Sequence, residues 1–243
     1  MQLDKWLALW REAVEGEFGA QRVYFMGIQG SRARGEAREE SDIDVVLILD
    51  ALTADDAERY RKCVAALPER GKLCGFVSGR RELERWLPEE LFSFCLDTLP
   101  VYGSLDELAG RVRAQDVRMA ALGSVCGIYH ACVHNLIHAR SADALAELYK
   151  SAFFALRAIH CVETGERLRS RAELLSRRPE AERDLIESAP DGDFDAASTR
   201  LLAWAAEQIT ALGGGALGAQ VTQFLQAGIN TLLVSSGRIL YNK

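Results

Sequence analysis

The chain has 243 residues, 49% of them hydrophobic and 26% charged, and a formal net charge of −6. That length holds one large domain or two modest ones, with enough apolar content for a core that needs no disulfide or metal staple. The acidic balance argues against a broad nucleic-acid-binding surface, yet leaves room for a local basic pocket that takes a nucleotide.

Residues 3–18 read as an amphipathic helix with Leu3, Trp6, Leu7, Trp10, Ala13, Val14 and Phe18 on one side and Gly19 as its stop. This opening is acidic and is not a signal peptide. Val23 to Ile28 is an apolar strand, and Ile43 to Leu49 a second one with the near-continuous apolar run of a strand buried on both faces. Thr53 is an N-cap followed by acids, so a helix is expected to about Ala66. Lys72–Val77 is a third strand, Arg80–Trp86 and Pro88–Leu96 are short helices, and Leu99–Tyr102 is an edge strand because of Pro100. From Leu105 the pattern becomes helical, with segments to His138, at Ala142–Glu163, Arg171–Leu175, Ala181–Glu187 and Phe194–Leu212. Gln220–Leu225 is helix-like, Asn230–Tyr241 is helix or strand, and the glycine-broken apolar tail is not a transmembrane span. The expected architecture is α/β over residues 1–104, a small mixed sheet with helices, followed by an all-α helical bundle over 105–243. The tail after Gly215 packs internally or against a second copy, so a homodimer is one expectation. Six scattered cysteines with no CxxC pair read as reduced and mostly buried, which points to the cytoplasm.

The chemistry concentrates between the first two strands. Gly30-Ser31 follows a strand, and such a turn brings backbone N–H groups close to a ligand with no Cβ in the way. Ser31 can donate to a phosphate and Arg34 can neutralise it. At the mouth of the second strand, period-2 geometry puts Asp42 and Asp44 on one face. Paired carboxylates repel unless a cation joins them, and Mg²⁺ (or Mn²⁺) takes hard oxygens and substrate phosphates. The pieces describe a site for an NTP with its metal, ATP being the expected nucleotide. The P-loop pattern is absent, since Glu36 follows Gly35.

The string Gly30-Ser31-Arg32-Ala33-Arg34-Gly35, followed by Ser41-Asp42-Ile43-Asp44, resembles the polymerase-β-like nucleotidyltransferase superfamily, and within it the bacterial small-molecule and minimal enzymes similar to kanamycin nucleotidyltransferase. The later FVSGRRELERW and LPVYGS segments extend the likeness to about residue 104, and the remainder resembles the substrate-binding or HEPN-like helical domains joined to such units. The resemblance implies that Gly30, Ser31, Arg34 and Ser41 bind the nucleotide, that Asp42 and Asp44 are the catalytic metal ligands, and that an NMP, AMP first, moves to a hydroxyl of a small molecule or protein. Long nucleic acid and membrane are not expected as partners.

The family also supplies a third carboxylate from a later strand. The matching strand, Lys72–Val77, has no acid, so Asp97 stands as the substitute, with Glu82 or Glu84 behind it. A non-catalytic nucleotide-binding or antitoxin-like module is the alternative reading. His130, His134 and His138 share a helical face and are candidates, with Glu147, for a general base or an acceptor contact. Glu147, Lys150 and Arg157 otherwise read as a solvated face, Tyr149, Phe153 and Phe154 as core, and Arg32, Glu36, Arg38, Glu39 and Glu40 as a solvated, mobile segment. Arg157 and His160 are too close for an HEPN nuclease motif.

Overall fold

Strands β1 (Val23–Ile28) and β2 (Ile43–Leu49) form the centre of a four-stranded sheet in the computed structural model, which describes residues 2–187 and 192–214. Strand β3 (Leu73–Gly79) flanks β2, and β4 (Leu99–Tyr102) flanks β1, in the order β3-β2-β1-β4. The β1–β2 and β1–β4 pairs are antiparallel and β2–β3 is parallel, so the sheet is mixed. Pro100 lies in β4, on the edge, where its missing N–H costs no ladder bond.

Alternation along β2 separates two apolar layers. Ile43, Val45, Leu47 and Leu49 pack with Trp6, Trp10, Val14 and Phe18 of α1 (Leu3–Phe18) and Val64 of α3 (Ala54–Ala65). Val46 and Ile48 pack with Phe25, Leu83, Phe94 and Leu108 on the opposite face. Leu83 belongs to α4 (Arg80–Leu83), Phe94 to α5 (Pro88–Asp97) and Leu108 to α6 (Asp106–Ala109). Each such side chain contributes roughly 1.5–3 kcal/mol by leaving water. Thr53 caps α3 through a full capping box with Asp56, and Gly19 at φ 79° ends α1 as its sequence position implies.

Helix α7 (Ala114–His134) leads into a π turn at Asn135–Ala139, then α8 (Ala142–Thr164), α9 (Arg171–Arg177), α10 (Arg183–Glu187) and α11 (Phe194–Gly213). The chain divides into two compact units, Met1–Ala120 with Leu156–Glu187, and Ala121–Ala155 with Ser188–Lys243. The boundary expected at 104 therefore differs from the observed division: α6, the start of α7 and the run from Leu156 to Glu187 go with the sheet. An ion pair between the buried Arg157 and the half-buried Asp97 is one physical reason.

In the second unit, Ala121, Val125, Ile128 and Cys132 form one buried stripe of α7, while Tyr149 and Phe153 of α8 are buried as expected. Cys132 Sγ donates to the Ser198 carbonyl at 3.4 Å and Tyr149 Oη to that of Ala197 at 3.0 Å, which ties α11 to both helices. By length and composition alone, Ala114–Ala139, with a mean hydropathy of 1.3, could cross a membrane. Asn135 clasps Ser141 through two hydrogen bonds of 2.9 and 3.0 Å and so turns the chain back into α8. The expectations for Gln220–Leu225, Asn230–Tyr241 and the tail after Gly215 lie outside the described residues.

Two expectations need correction. All six cysteines are free, but only Cys132 is buried; Cys74 on the edge strand and Cys126 on the outer side of α7 are exposed. Arg157 is not on a solvated face: it is 1% exposed.

Candidate active site

The antiparallel register of β1 and β2 continues one residue past the strands, where the Gln29 N–H donates to the Asp44 carbonyl at 2.8 Å. That pairing brings Gly30 against Asp44. Gly30 has φ +70°, and a Cβ added there would stand 2.1 Å from Asp44 Oδ2. Only glycine tolerates both the left-handed backbone and the contact. The short helix α2 (Gly30–Arg34) begins at this point and ends at Gly35 in the left-handed conformation. Ser31 is half-buried, and its hydroxyl has no hydrogen-bond partner among the described residues.

Asp44 lies on β2 in the same alternation as Val46 and Ile48, and so faces the α4–α5–α6 side of the sheet. Asp42 stands just ahead of β2, exposed, and its carboxylate has no ion pair among the described residues. Arg32 fixes the mouth of the strand, donating from Nε to the Asp42 carbonyl at 2.8 Å and from Nη2 to the Ser41 carbonyl at 2.6 Å. The Ser41 hydroxyl accepts the Arg38 N–H at 2.9 Å, which leaves its own proton to donate. Arg32 is thus part of the scaffold, not of a mobile segment.

Arg34 is bracketed by carboxylates. Its Nε donates to Glu36 Oε2 at 3.0 Å and its Nη1 to Asp97 Oδ1 at 3.1 Å. Glu36 in turn accepts the Arg171 N–H at 2.5 Å at the start of α9, so this acid too is structural. Asp97, the last residue of α5, also accepts the Gly30 N–H at 3.3 Å and Arg157 Nη1 at 2.8 Å. Arg157 completes its fork on the carbonyls of Leu168 at 2.9 Å and Leu96 at 3.1 Å. Burial pulls the Arg157 guanidinium below its ordinary value, and Asp97 pushes it back. Arginines 34 and 157 are thus matched closely by acids 36 and 97 beside the turn.

The third-carboxylate expectation meets a different geometry. In the parallel β2–β3 register, the residue beside Asp44 is Cys74, which is exposed. Glu84 pairs with Arg80 at 2.7 Å, and the Glu82 carboxylate lies against Gly79. Gly79 is five residues along β3 from Cys74, roughly 16 Å at strand rise. Glu82 and Glu84 therefore sit at the wrong end of the strand. Asp97 is near the turn but is already taken up by arginines. Among the described residues, no three His, Cys, Asp or Glu side chains converge as a metal-binding group. Asp42 and Asp44 alone still suit Mg²⁺, which binds through one or two carboxylates and completes its shell with water and substrate phosphates.

His130, His134 and His138 are exposed, in the second unit, with the rings of His134 and His138 5.1 Å apart. Glu147 is exposed and pairs with Lys150 at 3.3 Å. His160 is buried and meets Glu166 at 3.3 Å, so neither it nor Arg157 is presented as a nuclease pair. The residues that sequence reasoning missed are Gln29, Glu36, Arg157 and Arg171. One signal was available: Arg157 interrupts the apolar run Ala152–Ile159, where a charge is buried and paired far more readily than solvated.

Residues 10–89 match the family model described as nucleotidyltransferase domain. No curated protein matches the sequence. Among solved structures, the spectinomycin adenyltransferase AAD(9) from Enterococcus faecialis, solved with ATP and spectinomycin, is similar at a TM-score of 0.47 and 13% identity, over 81% of this chain and 98% of that one. The matched segment holds β1, the Gly30-Ser31 turn and the Asp42–Asp44 strand, so residues 10–89 are similar to a nucleotidyltransferase domain.

Proposed function

We propose that the chain moves an NMP, AMP in the first instance, from an NTP with Mg²⁺ to a hydroxyl of a small molecule or a protein. The observation that carries this reading is the contact of Gly30 with Asp44, where a Cβ would come within 2.1 Å of Oδ2. It supports the reading by bringing the glycine-serine turn against Asp44, one of the two carboxylates. Asp42 and Asp44 would hold Mg²⁺, or Mn²⁺ in its stead, which when bound neutralises phosphate charge. The Gly30-Ser31 backbone and the Ser31 hydroxyl would hold phosphate oxygens, with the Ser41 hydroxyl as a further donor. Arg34 supplies positive charge held in place by Glu36 and Asp97. The acceptor oxygen forms a bond to the α-phosphorus, the bond to pyrophosphate breaks, and the hydroxyl proton passes to a base. His130, His134, His138 and Glu147 remain the side chains proposed for that base or for acceptor contact. The six free cysteines support a reducing, cytoplasmic setting. The net charge of −6 argues for a small or protein acceptor over long nucleic acid.

The test is incubation with labelled NTPs, Mg²⁺ and an acceptor panel. Wild-type protein is expected to label an acceptor and Asp42→Asn to fail; equal labelling by both overturns the mechanism. A second reading has its own support, because Cys74 stands beside Asp44 where a third acid is expected. In that reading the chain holds a nucleotide, or a partner as an antitoxin does, without turnover. Calorimetric binding of a non-hydrolysable NTP with no pyrophosphate release on any acceptor favours it; robust release ends it.

A further inference from the structure

Arg157 carries a charge that it cannot shed, and it is 1% exposed. A buried guanidinium requires a carboxylate and a full set of acceptors. It has the carbonyls of Leu168 and Leu96 and, at 2.8 Å, Asp97 Oδ1. The Leu96 carbonyl lies in the last turn of α5, where a cation is also favoured by the helix dipole. Asp97 is therefore held from one side by a rigid, buried partner.

On its other side Asp97 meets the nucleotide turn. Oδ2 accepts the Gly30 N–H at 3.3 Å, while Arg34 Nη1 lies 3.1 Å from Oδ1 and 3.4 Å from Oδ2. The Arg34 side chain is 10% exposed, so its direction is set by these contacts and by Glu36. A carboxylate already accepting from three donors, two of them cationic, is a poor metal ligand, since each donor competes for the same lone pairs. We propose that Asp97 is a positioning residue, through which the buried Arg157 fixes the Gly30-Ser31 turn and Arg34 for an incoming phosphate, and that it is not the third metal-binding acid. The inference rests on reading that turn as the phosphate site.

The test is binding of a non-hydrolysable ATP analogue by full-length protein, measured with excess EDTA and again with Mg²⁺, alongside a thermal melt. Asp97→Asn is expected to weaken binding about tenfold in both conditions, the loss of one charge-assisted contact. Asp97→Glu should recover part of that loss. In an Arg34→Gln background, Asp97→Asn should cost less than in wild type, because part of its effect acts through that guanidinium. Arg157→Lys keeps the charge but cannot reach both carbonyls and Asp97 together, and should weaken binding about threefold, with a lowered Tm but a cooperative melt. If Asp97→Asn does not fold, Arg157→Lys decides: undiminished binding overturns the proposal. A loss seen only with Mg²⁺ makes Asp97 a metal ligand and overturns it as well. Wild-type binding matched by a folded Asp97→Asn overturns this inference alone. A wild-type protein that binds no nucleotide overturns the phosphate reading, and the inference falls with it.

Discussion

The two ends of the β1–β2 hairpin use the same chemistry for different purposes. At the end away from the connection, closed in the sense that its acids are paired, Arg22 donates to Asp50 at 3.1 Å, to Asp56 at 2.7 Å and to the Ala51 carbonyl at 3.0 Å. Asp56 is 3% exposed and also serves the Thr53 capping box, so the cluster ties the start of β1 to the start of α3. The Arg22 guanidinium holds the Asp56 carboxyl well below the usual carboxylate range. At the connected end, open in the sense that an acid there is left exposed, Arg34, Asp97 and Arg157 are equally interlocked, but Asp42, just ahead of β2, has no ion pair among the described residues. One end spends its acids on the fold. The other buries a scaffold of arginines and leaves the Asp42 carboxylate exposed at the mouth of β2. Sites that break local charge pairing in this way are where function is expected.

The contrast is easiest to break with Asp42→Asn. Activity should fall about 10³-fold in the pyrophosphate-release assay, while the melting temperature holds or rises as a like-charge pair is relieved. Gly30→Ala strikes the same end through the backbone. A methyl at 2.1 Å from Asp44 Oδ2 should cost roughly 1–3 kcal/mol and weaken nucleotide binding by about 100-fold, read by melting and calorimetry. The closed end should behave oppositely. Asp56→Asn is expected to remove roughly 2–3 kcal/mol, discounted for the partly exposed Arg22, and to lower Tm by about 5–10 °C without changing kcat. Because the folded pKa of Asp56 is lowered, that stability is fully present above the ordinary carboxylate value and is lost as pH falls toward the lowered one. Melts of wild type and Asp56→Asn should thus converge with acidification below about pH 4. Cys74→Asp sharpens the open end. A carboxylate beside Asp44 should raise turnover about tenfold, and no gain would mean that the third acid comes from elsewhere. The smallest effect is expected for Glu147→Gln, within about 0.5 kcal/mol in stability, because the Glu147–Lys150 pair is exposed. A kcat loss in that variant with an unchanged melt identifies Glu147 as the base.

Much of this was legible in the residues. The helix at 3–18, the capped helix from Ala54, the four strands and the edge position of β4 follow from short-range rules: apolar period, caps, and proline placement. The glycine-serine turn and the alternate acids were legible, but the contact of Gly30 with Asp44 needed the antiparallel register of β1 and β2. The roles of Arg157, Glu36 and Asp97 were not legible in the same way. Asp97 and Arg157 are 60 residues apart, and nothing local distinguishes a solvated arginine from one at the end of another helix. The unit division has the same origin, since Leu156–Glu187 joins the sheet through contacts that its own helical pattern does not announce.

What the sequence alone determined is the identity and spacing of the groups at the open end: a glycine-serine turn, then two acids on alternate residues of a strand. Period 2 and glycine's conformational freedom act within a few residues, so they can be read in one dimension. Tertiary structure alone decided which acid near the turn is available. Cys74 arrives beside Asp44 by strand register, and Asp97 is committed by a buried guanidinium from a distant helix. Burial is a property of packing, and a charge removed from water must take whatever partner the fold brings to it.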